Sequence, residues 1–382
     1  MARTFLIVTW QAGGGVQPAL GLGRLLSGRG HDVQMLAPEV HKEQVEAAGC
    51  AWIPFPAEAE FDPAAGRAAD GQRAYIEETF FGDVLPDALT AAVRCQPPDA
   101  LVVDALLAST LSTAQALGPP VAALVHTLRS FHGDAGIFGD WGRPQVNERR
   151  ARLEQHQLAD DGDTIFVELQ RRSDLELVAM PAEFDARSET VANVVHMGWM
   201  PEPPAGDLQL PWNEADPTPL VVVGLSSTYM HQEWLLERIL STLAELPVHV
   251  LATTGPELDP NELRVPASVE LRDYVPHSLV LPRASLVVTH AGIGTLMGAF
   301  AHGVPCVCVP LGRDQPGNAA RAADLGAAIA LSPDADGETI RAAVEDALQS
   351  DALRAGAERL RDAIAHYADG ERGAAALEQL TV

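Results

Sequence analysis

Residues 286–318 read LVVTHAGIGTLMGAFAHGVPCVCVPLGRDQPGN. An apolar run, Leu286–Val288, stops at Thr289 and His290, and small residues follow at Ala291, Gly292 and Gly294. Thr295 opens a helical pattern that ends at Gly303-Val304-Pro305. A second apolar run, Cys306–Leu311, then delivers the polar group Gly312-Arg313-Asp314-Gln315. The order is strand, turn, helix, strand, loop, with polar side chains at the carboxyl ends of both strands. In an open parallel sheet, ligands bind at that edge. A glycine-lined turn entering a helix leaves backbone N–H groups and the positive end of the helix dipole, which suit a phosphate. His290 adds a donor and, if protonated, a charge. Asp314 and Gln315 pair an acceptor with an amide, as sugar hydroxyls require. The segment reads as a site for a phosphorylated sugar. A structural turn with an incidental histidine is the plainer alternative, and the matched loops at two strand ends weigh against it.

Outward from this stretch, the same alternation occurs twice. In the first half, Thr4–Thr9 predicts a buried strand running into Trp10-Gln11-Ala12-Gly13-Gly14-Gly15. A helix with Leu20, Leu22, Leu25 and Leu26 follows, then a strand at His31–Ala37, a short helix at Glu43–Ala48 and a strand at Ala51–Phe55. Residues 56–88 read as irregular and carry Phe61, Tyr75, Phe80 and Phe81, walls for an apolar ligand. Pro98–Asp104 is a strand with an acid at its carboxyl end, Leu107–Leu117 a helix, and Pro120–His126 the next strand. The long polar and aromatic stretch 128–164, with Phe131, His132, Phe138 and Trp141, suits binding or a lid, or else a plain surface loop. Leu175–Met180 and Val194–Met197 complete this half, and the proline-rich stretch 201–219 is the best linker. The pattern restarts with a strand at Leu220–Gly224, the loop Leu225-Ser226-Ser227-Thr228, and a helix over Trp234–Leu246. Val248–Ala252 and Val269–Leu271 are strands, and Thr339–Ser350 and Ala352–Tyr367 are helices. The fold class is α/β, two doubly wound Rossmann-like domains with a cleft between them.

A chain of 382 residues with 47% hydrophobic content suits two domains with separate cores. The net charge of −26 argues against nucleic acid and anionic membrane surfaces as partners. Cys50, Cys95, Cys306 and Cys308 show neither disulfide nor metal spacing. No apolar span is long enough for a signal peptide or a membrane helix, so a cytoplasmic location is expected. Asp161-Gly162-Asp163 and Asp334-Ala335-Asp336 have the two-acid metal pattern without partner ligands and read as surface acids. The Gly13-Gly14-Gly15 run invites a dinucleotide reading. That reading fails because Pro18 occupies the third glycine position and the second strand lacks a well-placed acid, Glu39 being only near.

The motif from His290-Ala291-Gly292-Ile293-Gly294-Thr295 through Asp314-Gln315 resembles that of the GT-B-fold, nucleotide-sugar-dependent glycosyltransferases, a family that includes plant and antibiotic-tailoring enzymes. The segment VVDALLASTLSTAQALGPPVAALVHT, residues 102–127, is similar to the bacterial natural-product members, and the resemblance spans nearly the whole chain. It implies an acceptor-binding domain at 1–205, a linker at 206–218, a nucleotide-sugar-binding domain at 219–365 and a tail at 366–382 that packs back on the first domain. His290 would contact the donor diphosphate with backbone N–H groups around Gly292, Gly294 and Thr295, and Ser227 and Thr228 would lie beside it. Asp314 and Gln315 would hold the sugar. Tyr274 stands where relatives carry a tryptophan stacked on the nucleobase, and the backbone of Val275 would read the edge of uracil or thymine. Trp10, Phe80, Phe81, Phe131, Phe138 and Trp141 would form the acceptor pocket. No cofactor or metal is implied beyond the TDP- or UDP-sugar co-substrate, and a homodimer is compatible with the sequence.

One position departs from the pattern. Relatives carry a histidine, the general base on the acceptor, where this chain has Gly15, while Asp104 matches the acid that orients that histidine. A positioned base contributes ~10²–10⁴ in rate. Asp104 is the leading substitute, with His132, His126 and Glu78 as others. An easily activated acceptor, or loss of catalysis, would also account for the glycine. The expected activity is inverting transfer of a hexose or deoxyhexose to a small, largely apolar natural-product acceptor. The alternatives are a non-catalytic helper of an active transferase and a nucleotide-sugar epimerase.

Overall fold

The computed structural model describes residues 2–11, 13–61, 69–134, 141–160, 162–185, 193–201, 206–213, 216–226, 228–367 and 370–381. The chain divides into two compact units, Met1–Met200 together with Tyr367–Val382, and Pro201–His366.

The first unit is built on strands β1 (Thr4–Val8), β2 (Asp32–Ala37), β3 (Ala51–Pro54), β4 (Ala100–Asp104), β5 (Val121–Val125), β6 (Leu175–Val178) and β7 (Val194–His196). They form one parallel sheet in the order β3-β2-β1-β4-β5-β6-β7. Phe5 to Val8, Ala100 to Val103 and Val121 to Val125 are buried, as strands covered by helices on both faces must be. The second unit contains β8 (Leu220–Gly224), β9 (His249–Thr253), β10 (Val269–Arg272), β11 (Leu286–Thr289), β12 (Cys306–Cys308) and β13 (Ala328–Ala330). These are all parallel too, in the order β10-β9-β8-β11-β12-β13. Each sheet has one switch point, between β1 and β4 in the first and between β8 and β11 in the second. Successive strands depart from it in opposite directions, which opens a crevice at the carboxyl edge.

The last helix, Glu371–Leu380, packs on helix Gly13–Gly28 and on β7, and buries Ala374 and Leu377 in the first unit's core. Glu378 carries its edge, 2.9 Å from His31 Nε2 and 3.0 Å from Arg29 Nη1. The three glycines of residues 13–15 are the first turn of helix Gly13–Gly28 rather than a phosphate loop.

Two stretches differ from the sequence expectation. Residues 56–88 are not irregular throughout, because they contain helix Ala69–Phe81 and the start of helix Val84–Cys95, which buries Leu85, Leu89 and Val93. Within 128–164, helix Arg143–Arg152 buries Arg143, Arg149 and Arg150. Arg149 lies 2.6 Å from Asp83 and 2.9 Å from Asp87, and Arg150 donates to the His156 carbonyl at 2.7 Å. A helix fastened by guanidinium groups has no apolar stripe, so hydrophobic periodicity cannot find it.

A buried ionic knot ties the far end of the first sheet. Arg129 Nε is 2.6 Å from Asp185 Oδ2 and 3.8 Å from Glu176 Oε1, and His196 Nε2 reaches the same Asp185 oxygen at 3.1 Å. Burial pushes the Asp185 carboxyl up, but the bonds from His196 and Arg129 outweigh it and hold it below its ordinary value. Replacing Arg129 by alanine leaves two buried carboxylates short of their cation. It is expected to destabilise the first unit by about 3–5 kcal/mol, read as a lower urea midpoint for that unit with the second unit's transition unmoved.

Candidate active site

At the second unit's switch point, β11 ends and the chain turns into helix Ile293–Ala301. The turn is tight: Ala291 has φ 68°, and its N–H donates to Thr289 Oγ1 at 3.3 Å. Gly292 is the N-cap and offers no side-chain cap, so the first N–H groups of the helix have no side-chain oxygen to satisfy them. A Cβ on Gly292 would stand 2.6 Å from His290 Nε2, whereas one on Gly294 would meet nothing within 4 Å. Glycine at 292 therefore lets the imidazole lie across the turn, and Gly294 leaves the backbone open to close approach by a ligand.

His290 is buried, with Nδ1 3.3 Å from Thr289 Oγ1. Burial pulls its pKa down to about 4, the bond to the Gly224 carbonyl opposes this, and the nearby Arg313 charge adds to the lowering. The imidazole is therefore neutral at pH 7 and acts as a hydrogen-bonding group, not a cation. The local positive charge belongs to Arg313, which the sequence reading left without a role. It adopts φ 57°, and its Nη1 donates to Thr228 Oγ1 at 2.6 Å, joining the loops after β8 and β12. Its place between Gly312 and Asp314 was the available signal.

Asp314 and Gln315 are fixed by their own chain. Gln315 opens helix Gln315–Asp324, and its Oε1 accepts from the N–H groups of Leu311 (2.8 Å) and Gly312 (3.2 Å), while its Nε2 faces Met230 Sδ at 3.2 Å. Asn318, also missed, donates to Asp314 Oδ2 at 2.7 Å and to the Ala291 carbonyl at 3.1 Å, locking the two loops together. Gln232 orders the loop after β8, accepting from Met230 N–H at 2.6 Å and donating to the Ser226 carbonyl at 3.2 Å. Ser227 lies outside the described residues. Tyr274, just beyond β10, is 64% exposed beside buried Val275.

At the first unit's switch point, Gly15 follows β1, Asp104 ends β4 and His126 follows β5. Asp104 is fully buried and its Oδ1 accepts from Leu106 N–H at 3.0 Å. Its Oδ2 lies 2.8 Å from His126 Nδ1, an approach oblique to the ring N–H and short of an aligned hydrogen bond. The Trp10 ring is 6.4 Å from that of His126 and meets Phe80 edge-on at 4.9 Å.

The erythromycin biosynthesis protein CIII-like C-terminal domain family matches residues 234–376. The chain is 27% identical to 4'-demethylrebeccamycin synthase of Lentzea aerocolonigenes, over 95% of this chain and 96% of that one. It is also 27% identical to demethyllactenocin mycarosyltransferase of Streptomyces fradiae, over 92% and 81%. The solved glycotransferase of kitacinnamycin superposes with a TM-score of 0.80 at 24% identity over 99% of both chains, a likeness of fold. These likenesses support an antibiotic-tailoring glycosyltransferase, and the fold is GT-B.

The remaining expected site residues of this glycosyltransferase are dispersed. His132 is fully buried with both ring nitrogens engaged, Nε2 with Thr127 Oγ1 at 2.9 Å and Nδ1 with Gln170 Nε2, so it serves as an internal cross-link. Glu78 accepts from Val84 N–H at 3.3 Å. Phe81 backs onto Trp141 and Phe166, and Phe131 lies against His132, whereas Phe138 lies outside the described residues. Among the described residues, no group of three or more His, Cys, Asp or Glu could hold a metal ion, and no helix is long and apolar enough to cross a membrane. Asp336 caps helix Gly337–Gln349 through Thr339 N–H at 2.9 Å, and Asp163 pairs with Arg171. Cys306 and Cys308 are core residues of β12, with burial pushing the Cys308 thiol up to about 12.

The lowered His290 pKa has a consequence for stability. Between pH 6.5 and about 4 the unfolded chain binds a proton here that the folded chain refuses, so this group removes stability as pH falls through that window. Replacing His290 by asparagine should flatten the slope of unfolding free energy over that range relative to wild type, by up to about 1.4 kcal/mol per pH unit. Denaturant titrations of both proteins at stepped pH would measure it.

Proposed function

We propose that the chain transfers a sugar from a TDP- or UDP-sugar to a small, largely apolar natural-product acceptor, with inversion and without a metal. The observation that carries this reading is the uncapped N-terminus of helix Ile293–Ala301, open above Gly294 and flanked by His290 and Arg313. Such an end binds the diphosphate through backbone N–H groups and the helix dipole. A neutral His290, whose one N–H goes to the Gly224 carbonyl, holds the shape of the turn beside the phosphates. Arg313 stabilises the charge that develops as the diphosphate leaves, which a metal would otherwise have to do. Thr228 lies on the phosphate side, Tyr274 stacks on the base with the Val275 backbone at its edge, and Asp314 and Gln315 hold the sugar hydroxyls. In the first unit, Trp10 and Phe80 supply an apolar acceptor wall. Similarity to a 4'-demethylrebeccamycin synthase and a demethyllactenocin mycarosyltransferase supports a natural-product acceptor.

A panel of TDP- and UDP-sugars offered with aromatic and polyketide acceptors tests the reading. Free nucleoside diphosphate together with a product heavier by one glycosyl group is the expected result. An isomerised sugar nucleotide would indicate an epimerase instead, and neither signal would indicate a binding protein. Replacing Arg313 by methionine is expected to weaken TDP binding about 10- to 100-fold, and to make the remaining affinity less sensitive to salt, by calorimetric titration.

A further inference from the structure

We propose that His126, held by Asp104, is the proton acceptor of this transfer, in place of a side chain at position 15. The assignment rests on the sugar-transfer reading above. β4 and β5 are neighbours in the sheet, and their carboxyl ends bring the Asp104 carboxylate within 2.8 Å of His126 Nδ1. The Leu106 N–H holds the other carboxylate oxygen, which fixes the plane of the group. An imidazole with Nδ1 turned to a buried carboxylate keeps its proton there and uses Nε2 as the base. The oblique approach fits a catalytic pair before substrate binds, since such bonds align in the complex. Both side chains are buried, Asp104 fully and His126 all but 4%.

Gly15 supplies the independent observation. A Cβ added there would lie 3.2 Å from His126 Cε1 and 3.3 Å from Asp104 Oδ2. The His126 ring therefore fills the space that a residue-15 side chain would enter, against the same carboxylate. Gly15 is helical with no positive φ, so the backbone does not demand glycine here. Gly15 and Asp104 border the β1–β4 switch point, where an open sheet binds its ligand, and His126 follows the neighbouring strand β5; the Trp10 ring lies against Phe80 and 6.4 Å from His126.

In the step itself, the acceptor O–H bond breaks and its proton goes to Nε2 as the oxygen lone pair forms a bond to the anomeric carbon. The bond from that carbon to the phosphate oxygen breaks, and its electron pair leaves with the nucleoside diphosphate. Asp104 stabilises the imidazolium until it returns the proton to water.

The test uses the full-length chain at pH 8 with TDP-glucose or UDP-glucose and two acceptors, 4-methoxyphenol, which is un-ionised, and 4-nitrophenol, which is largely ionised. Replacing His126 by glutamine should lower kcat about 10²–10⁴-fold with the first and less than about tenfold with the second, with TDP affinity and melting temperature unchanged. Adding Gly15→His to His126→Ala should recover at least about tenfold of the loss with 4-methoxyphenol. Equal losses with both acceptors, or a loss with 4-methoxyphenol below about tenfold, would overturn the assignment. Absence of transfer by the wild-type chain with either donor and either acceptor overturns the sugar-transfer reading and this assignment with it.

Discussion

A parallel strand can be followed by another only after a crossover, and where successive crossovers leave in opposite directions two adjacent strand ends stand uncovered. Both units of this chain concentrate their chemistry at that one place. In the second, the loop after β8 and the turn after β11 flank the gap, with Thr228 on one side and His290 on the other. In the first, Gly15 after β1 and Asp104 at the end of β4 do the same, with His126 one strand further along. The strands behind them are buried on both faces, so their ends are held without recourse to the loops themselves. Catalytic polar groups need that rigidity, because their bonds lose strength steeply with misalignment.

The two switch points solve electrostatics differently. The second holds a neutral imidazole and sets its cation on Arg313, whose planar fork suits phosphate oxygens at any working pH. A protonated His290 would be expensive in so enclosed a position, and the arginine charge beside it raises that cost. Dividing the tasks lets the histidine be buried for geometry while the arginine carries the charge. The first switch point instead sets a buried carboxylate against an imidazole.

Much of this was legible from residues 286–318 alone, because a β-turn-α-β unit with glycines at the turn leaves a periodic apolar trace and a polar residue at each strand end. The paired sheets followed from the same trace repeated. What the sequence hid has a common cause. Helix Arg143–Arg152 is anchored by ion pairs, so no apolar period marks it. The roles of Arg313 and Asn318 depend on contacts between loops far apart in sequence, Thr228 to Arg313 and Ala291 to Asn318. His132 looked available because a histidine in a polar stretch carries no sign of burial, yet Thr127 and Gln170 hold both of its nitrogens.

Gly15 illustrates why a departure from a pattern is better read in three dimensions than as a loss. On the sequence, a missing histidine and a retained aspartate look like half of a broken pair. In the fold, a buried carboxylate without a partner would be costly. In this fold the neighbouring strand β5 delivers His126 to Asp104. The same space cannot hold both rings, since even a methyl group at position 15 would crowd the His126 imidazole. Glycine at 15 and histidine at 126 are thus linked by packing: a Cβ at 15 would stand 3.2 Å from the His126 ring and 3.3 Å from the Asp104 carboxylate, so a side chain there would have to push the imidazole aside.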